Sequence, residues 1–188
     1  MSGPLTILGI SGSLRIGSYN TAALHAAQEL VPAGVTLEIA DISQLPLYNA
    51  DLQAQGFPDA VNQLGAKIRA ADALLFCSPE YNYSVSGVLK NAIDWVSRLD
   101  KQPFAGKPAA IIGASVGVLG TARAQYHLRQ IGVFVDLRFI NRPEVMIGKA
   151  QERFDADGKL TDSPTRDLIA KQMAALRAAI AAGKQGPA

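Results

Sequence analysis

Between an apolar run that ends at Ser11 and a helical pattern that begins near Tyr19 lies Gly12-Ser13-Leu14-Arg15-Ile16-Gly17-Ser18, a loop whose residue types suit an anion. Ser18 fits the N-cap position, so the loop opens on a helix N-terminus, where outward-pointing N–H groups and the helix dipole favour negative charge. Ser13, Ser18, Asn20 and Thr21 can add donors, and Arg15 can add a charge-assisted contact to a phosphate. The same residues also fit a plain Gly/Ser-rich turn joining strand to helix.

Missing motifs narrow the anion. The Gly-Lys pairs beginning at 106, 148, 158 and 183 all lack the Ser or Thr that completes a Walker A loop, which disfavours a nucleoside triphosphatase. The first loop does not read G-x-G-x-x-G. The nearest approach, Ser115-Val116-Gly117-Val118-Leu119-Gly120, has serine in place of the first glycine and follows a later apolar run, which disfavours a dinucleotide fingerprint.

A second polar loop, Pro79-Glu80-Tyr81-Asn82-Tyr83-Ser84-Val85-Ser86-Gly87, follows the run ending Cys77-Ser78. Its tyrosines, asparagine and serines can hold a flat heterocycle by ring contacts and hydrogen bonds. It also fits an aromatic surface turn closed by Gly87.

Taken together, Gly-Ser-Leu-Arg-Ile-Gly-Ser-Tyr-Asn at 12–20, Pro-Glu-Tyr-Asn-Tyr-Ser at 79–84 and Leu-Lys-Asn-Ala-Ile-Asp-Trp at 89–95 resemble the NAD(P)H-dependent FMN reductase family, nearest its quinone and chromate reductase branch. The likeness includes Pro46-Leu47-Tyr48-Asn49 and the Ser115/Gly117/Gly120 loop. It implies that Ser13, Arg15, Ser18 and Asn20 hold the phosphate of FMN, with Tyr19 beside them. The flavin ring would then lie against Pro79, Glu80, Tyr81, Asn82 and Tyr83, with Ser115 and Gly117 closing another edge. It further implies a flavodoxin-like strand order and a homodimer or homotetramer with the flavin near a subunit boundary. Ser86 departs from the pattern: the family commonly has proline before Gly87, and a looser loop is expected here.

Under this likeness no catalytic side chain is required, because a flavin carries hydride chemistry at its own N5. NADH or NADPH would reduce it and leave before a small acceptor enters, in ping-pong order. Quinones, chromate, azo compounds and free flavins are the acceptors considered. Glu80 is assigned to positioning. A flavodoxin-type electron carrier is the main rival reading, although such carriers present an acidic surface. A reductase supplying reduced FMN to a monooxygenase is a second.

Five apolar runs must position these loops: Leu5–Ile10, Thr36–Ile42, Ala73–Cys77, Ala109–Ala114 and Val133–Phe139 read as strands. Tyr19–Leu30, Ala60–Ala71, Val88–Leu99 and Thr121–Ile131 have helical spacing between them, and a last helix is expected over Ser163–Ala182 with Ser163 as its cap. Repeated βα units imply an α/β doubly wound parallel sheet with helices on both faces and ligands at the carboxyl ends of its strands. The flavodoxin-like order 2-1-3-4-5 comes from the family likeness.

With 188 residues, 48% hydrophobic and 18% charged, the chain reads as one globular domain, its tail 183–188 frayed. A net charge of +2 with scattered basic residues argues against nucleic acid as a partner. The Met1–Pro4 start shows no signal-peptide pattern and no apolar run suits a membrane span, so a cytoplasmic protein is expected. Cys77 reads as a buried core residue rather than a redox thiol, His25 and His127 lack metal-ligand spacing, and Trp95 reads as packing. The segment 153–162 lacks the glycine position and closing glutamate of a calcium loop. Arg123, Tyr126 and Arg129 are candidates to face a subunit partner, with Glu144 as an opposite charge.

Overall fold

The computed structural model describes residues 4–184. Its strands are β1 (Leu5–Ser11), β2 (Val35–Ala40), β3 (Ala73–Cys77), a small hairpin of β4 (Glu80–Tyr81) and β5 (Ser84–Val85), then β6 (Pro108–Ala114), β7 (Arg138–Phe139) and β8 (Val145–Ile147). The helices are α1 (Tyr19–Glu29), α2 (Ala50–Ala54), α3 (Asp59–Ala70), α4 (Gly87–Val96), α5 (Ala122–Phe134) and α6 (Ser163–Lys184). The main sheet is parallel in the order β2-β1-β3-β6-β7, and β8 also pairs with β6. Counting β7 and β8 as one interrupted strand recovers the flavodoxin-like order 2-1-3-4-5.

The alternation of strand side chains explains the layers. Ile7, Leu75, Cys77 and Ile112 face α1 and α6, whereas Leu8, Leu74, Phe76 and Ile111 face α3, α4 and α5. Because both faces are covered, the whole run Ala73–Cys77 is buried, as its unbroken apolar sequence demands. Trp95 is fully buried at the margin of the second layer. Its Nε1 donates to the Pro46 carbonyl at 2.8 Å, and Tyr48 packs edge-on against its ring.

Three expectations need correction. The run Val133–Phe139 is not one strand: Val133 and Phe134 end α5, the chain reverses at Asp136 with φ 51°, and only Arg138–Phe139 joins the sheet before β8 resumes the edge. Opposite that interruption Gln172 of α6 donates its Nε2 to the Ile111 carbonyl at 3.0 Å, replacing a strand neighbour. The cap of α6 is Asp162 rather than Ser163, since its carboxylate accepts the Thr165 N–H at 2.9 Å. Finally, α6 runs on through Gly183 and Lys184, so those two residues are helical rather than frayed; 185–188 lie outside the described residues.

Candidate functional site

The carboxyl ends of β1, β3 and β6 converge on a cleft of about 210 Å³. Ser13, Arg15, Ser18, Tyr19 and Asn20 line it from the first loop and the head of α1; Pro79, Glu80 and Tyr81 line it from the second loop. Ala114, Ser115 and Val116 complete it, so all three loops singled out from the sequence meet in one place. Asn82, Tyr83 and Gly117 are not among its lining residues. Ala114 and Val116 were not foreseen, because nothing in an alanine or valine marks it as more than a strand end.

The first loop is shaped by short-range hydrogen bonds. Gly12 donates its N–H to the Cys77 carbonyl at 2.8 Å, which extends the β1–β3 register by one residue. Ser18 caps α1 as expected, accepting the Thr21 N–H at 3.3 Å, while Thr21 and Ser11 share a hydroxyl contact of 2.8 Å. The remaining first-turn N–H groups point along the helix axis, where an anion is favoured. Arg15 is exposed at the rim, its guanidinium 5.7 Å from the Tyr19 ring centroid.

Asn20 lines the cleft and also ties α1 to β6. It is buried, its Nδ2 donates to the Ala114 carbonyl at 2.9 Å, and its Oδ1 accepts the Ala114 N–H at 2.9 Å. The amide therefore acts like one more strand neighbour, fixing the end of β6 against the head of α1.

The second loop is a two-residue hairpin. Tyr81 pairs with Ser84, and Asn82 and Tyr83 adopt φ of 50° and 67° at its tip. Two successive positive φ values define the type I′ turn that matches strand twist. Such a conformation is costly for tyrosine, and Tyr83 is braced by the Arg123 guanidinium 3.9 Å over its ring. His127 also touches the hairpin, with Nδ1 3.0 Å from the Ser84 hydroxyl.

Glu80 joins the hairpin to α5. That helix begins at Thr121 in a left-handed conformation with no side-chain cap of its own. Instead Glu80 Oε2 accepts the N–H groups of Arg123 and Ala124 at 3.0 and 3.1 Å, and Oε1 lies 3.3 Å from the Arg123 guanidinium. Both oxygens of the carboxylate thus engage the head of α5.

The third loop needs glycine at position 120, where φ is 53° and a Cβ would come within 2.6 Å of the Ile147 nitrogen. Ser115 donates its hydroxyl to the Gly117 carbonyl at 3.2 Å, which curls the loop back on itself. Cys77, beneath the cleft, is wholly buried, and desolvation pushes its thiol pKa far up, so it stays protonated. A larger groove of about 750 Å³ runs outside α1, between His25, Glu29 and the 155–160 turn. It shares only Ser18 and Tyr19 with the cleft and lies off the strand ends where this architecture places its ligands. Among the described residues, no group of three or more His, Cys, Asp or Glu is arranged to hold a metal ion.

The family model described as NADPH-dependent FMN reductase matches residues 5–152. The chain belongs to that family. An NAD(P)H-dependent FMN reductase of Pseudomonas aeruginosa is 63% identical over 177 residues, spanning 94% of this chain and 96% of its own. A quinone reductase of Escherichia coli is 46% identical, spanning 93% and 95% of the two chains. Among solved structures, the flavoenzyme NAD(P)H:(acceptor) oxidoreductase FerB from Paracoccus denitrificans superposes with a TM-score of 0.86 at 37% identity, covering 95% of this chain and 98% of that one. Membership of the FMN reductase family brings FMN as cofactor and a nicotinamide nucleotide as reductant. The lining fits that cofactor in kind: it brings the anion donors Ser13, Arg15 and Ser18 together with the carbon-rich surfaces of Pro79, Tyr81 and Val116.

Proposed function

We propose that the chain passes electrons from NADH or NADPH to small oxidised acceptors, quinones foremost and chromate, azo compounds and free flavins besides, in ping-pong order. The observation that carries this reading is the meeting of a Ser18-capped helix N-terminus, Arg15 and the Pro79–Tyr81 loop in one cleft. When bound, FMN supplies the hydride chemistry at its N5. Ser13, Arg15, Ser18 and the first turn of α1 with Tyr19 grip its phosphate, and Asn20 acts by holding Ala114 in place. Pro79, Glu80 and Tyr81 receive the ring, with Asn82 and Tyr83 shaping the loop and Ser115 and Gly117 a further edge.

A cleft of about 210 Å³ is below the roughly 300–1,000 Å³ of an enclosing small-molecule pocket. A flavin seated here keeps a face open, which suits two substrates taking turns and selects weakly among acceptors. The chain is read as one cytoplasmic domain. Exposed Tyr81 and Val116 on the cleft, with Val118, Tyr83 and Tyr126 exposed on the same loops and on α5, support a homodimer or homotetramer. No helix among the described residues is long and apolar enough to cross a membrane.

The test is spectroscopic. The purified chain, incubated with FMN, should show an oxidised-flavin spectrum that NADH or NADPH bleaches without air and a quinone restores. Failure to take up FMN would overturn the reading; bound flavin that neither nicotinamide bleaches would favour an electron carrier.

A further inference from the structure

We propose that Ser86 is a positioning residue for the cofactor phosphate, acting through the backbone of Gly12. Ser86 is wholly buried, and its hydroxyl donates to the Gly12 carbonyl at 2.6 Å while accepting the Leu89 N–H at 3.3 Å. The direction is settled by chemistry, because a carbonyl can only accept. The residue expected to loosen its loop therefore does the reverse: it caps α4 and ties the second loop to the first.

The tie lands at a sensitive point. Gly12 is held on its other side by the Cys77 carbonyl, and a Cβ there would meet Ser86 Oγ at 3.0 Å and Pro79 Cδ at 3.2 Å. The carbonyl of Gly12 and the N–H of Ser13 belong to one peptide unit. A donor placed on that oxygen polarises the unit and makes the Ser13 N–H a better donor. At present that N–H has only a long 3.3 Å contact to the Ser11 hydroxyl. A tethered loop is already in its binding shape, whereas a free one must be ordered when the ligand arrives, and that ordering weakens binding.

The proposal rests on the reading of Gly12–Ser18 as the phosphate loop, and its test separates the two. Ser86→Ala removes the hydroxyl. Ser86→Pro also removes it, and the residue's φ of −64° is the value proline imposes, so the loop's path is preserved. The full-length chain and both variants, freed of flavin, are titrated with FMN and with riboflavin, which lacks the phosphate, by quenching of flavin fluorescence. Both variants should bind FMN about tenfold more weakly, the fold-change for one buried hydrogen bond, and riboflavin within about twofold of the parent. Unchanged FMN affinity in Ser86→Pro overturns the proposal. So does an equal loss for FMN and riboflavin, which would assign Ser86 to the ring loop or to general stability. A parent chain with no preference for FMN over riboflavin would overturn the phosphate-loop reading itself.

Discussion

Glu80 and Arg123, 43 residues apart, are joined twice: the Glu80 carboxylate accepts the Arg123 backbone N–H at 3.0 Å and faces its guanidinium at 3.3 Å. Loss of a helix cap costs about 1 kcal/mol, and up to about 2. Glu80→Ala should lower unfolding stability by that amount and Glu80→Gln by less, since the amide keeps an acceptor. Urea unfolding of the two variants checks this. Loss of nicotinamide oxidation in Glu80→Gln at unchanged stability and flavin content would contradict the positioning role.

Arg15 is exposed and its side chain reaches only the Tyr19 ring at the rim, 5.7 Å from its centroid, so Arg15→Ala should leave thermal stability nearly unchanged. A charge-assisted hydrogen bond contributes about 1.5–3 kcal/mol, so FMN affinity should fall about tenfold to a hundredfold. The parent's FMN affinity should also weaken more steeply with salt than the variant's. Fluorescence titration at two ionic strengths measures both effects.

Asn20→Ala should damage the fold itself. It removes both side-chain bonds to Ala114 in a buried setting, and orphaned backbone groups there cost about 1–3 kcal/mol each. A fall of about 3 kcal/mol in unfolding free energy is expected, with FMN binding lost as a consequence. Chemical denaturation followed with and without FMN distinguishes this from a simple ligand contact, for which apo stability would stay unchanged.

Burial raises the Cys77 pKa far above its unfolded value. The unfolded chain therefore ionises a thiol that the folded chain keeps protonated. This contribution to stability is complete below about pH 8.5 and is lost above it, at about 1.4 kcal/mol per pH unit. Cys77→Ala should lack that part of the slope between pH 9 and 10. In the folded parent at neutral pH, Cys77 should resist a thiol reagent that labels it readily in urea.

The parts of the site legible in the sequence were those written in local chemistry. A serine cap before Tyr19, the unbroken apolar run Ala73–Cys77 and the polar loops at strand ends each carry their meaning within a few residues. The parts that were not legible depend on distant partners. Glu80 caps a helix more than forty residues away, and Ser86 meets Gly12 across 74. The alternating apolar pattern of Val133–Phe139 suits a strand, yet Val133 and Phe134 are 82% and 88% exposed on a helix end. There the close packing of Gly132 against Phe139 overrides the local period.

The interrupted far edge has a consequence for crowded solutions. An edge strand is a template for other chains, but here it is broken into a two-residue and a three-residue piece, with Gln172 donating to the Pro143 carbonyl between them at 3.0 Å. No continuous ladder is available on that side for a neighbouring molecule to extend. Fibre-like stacking by backbone pairing is blocked at that edge.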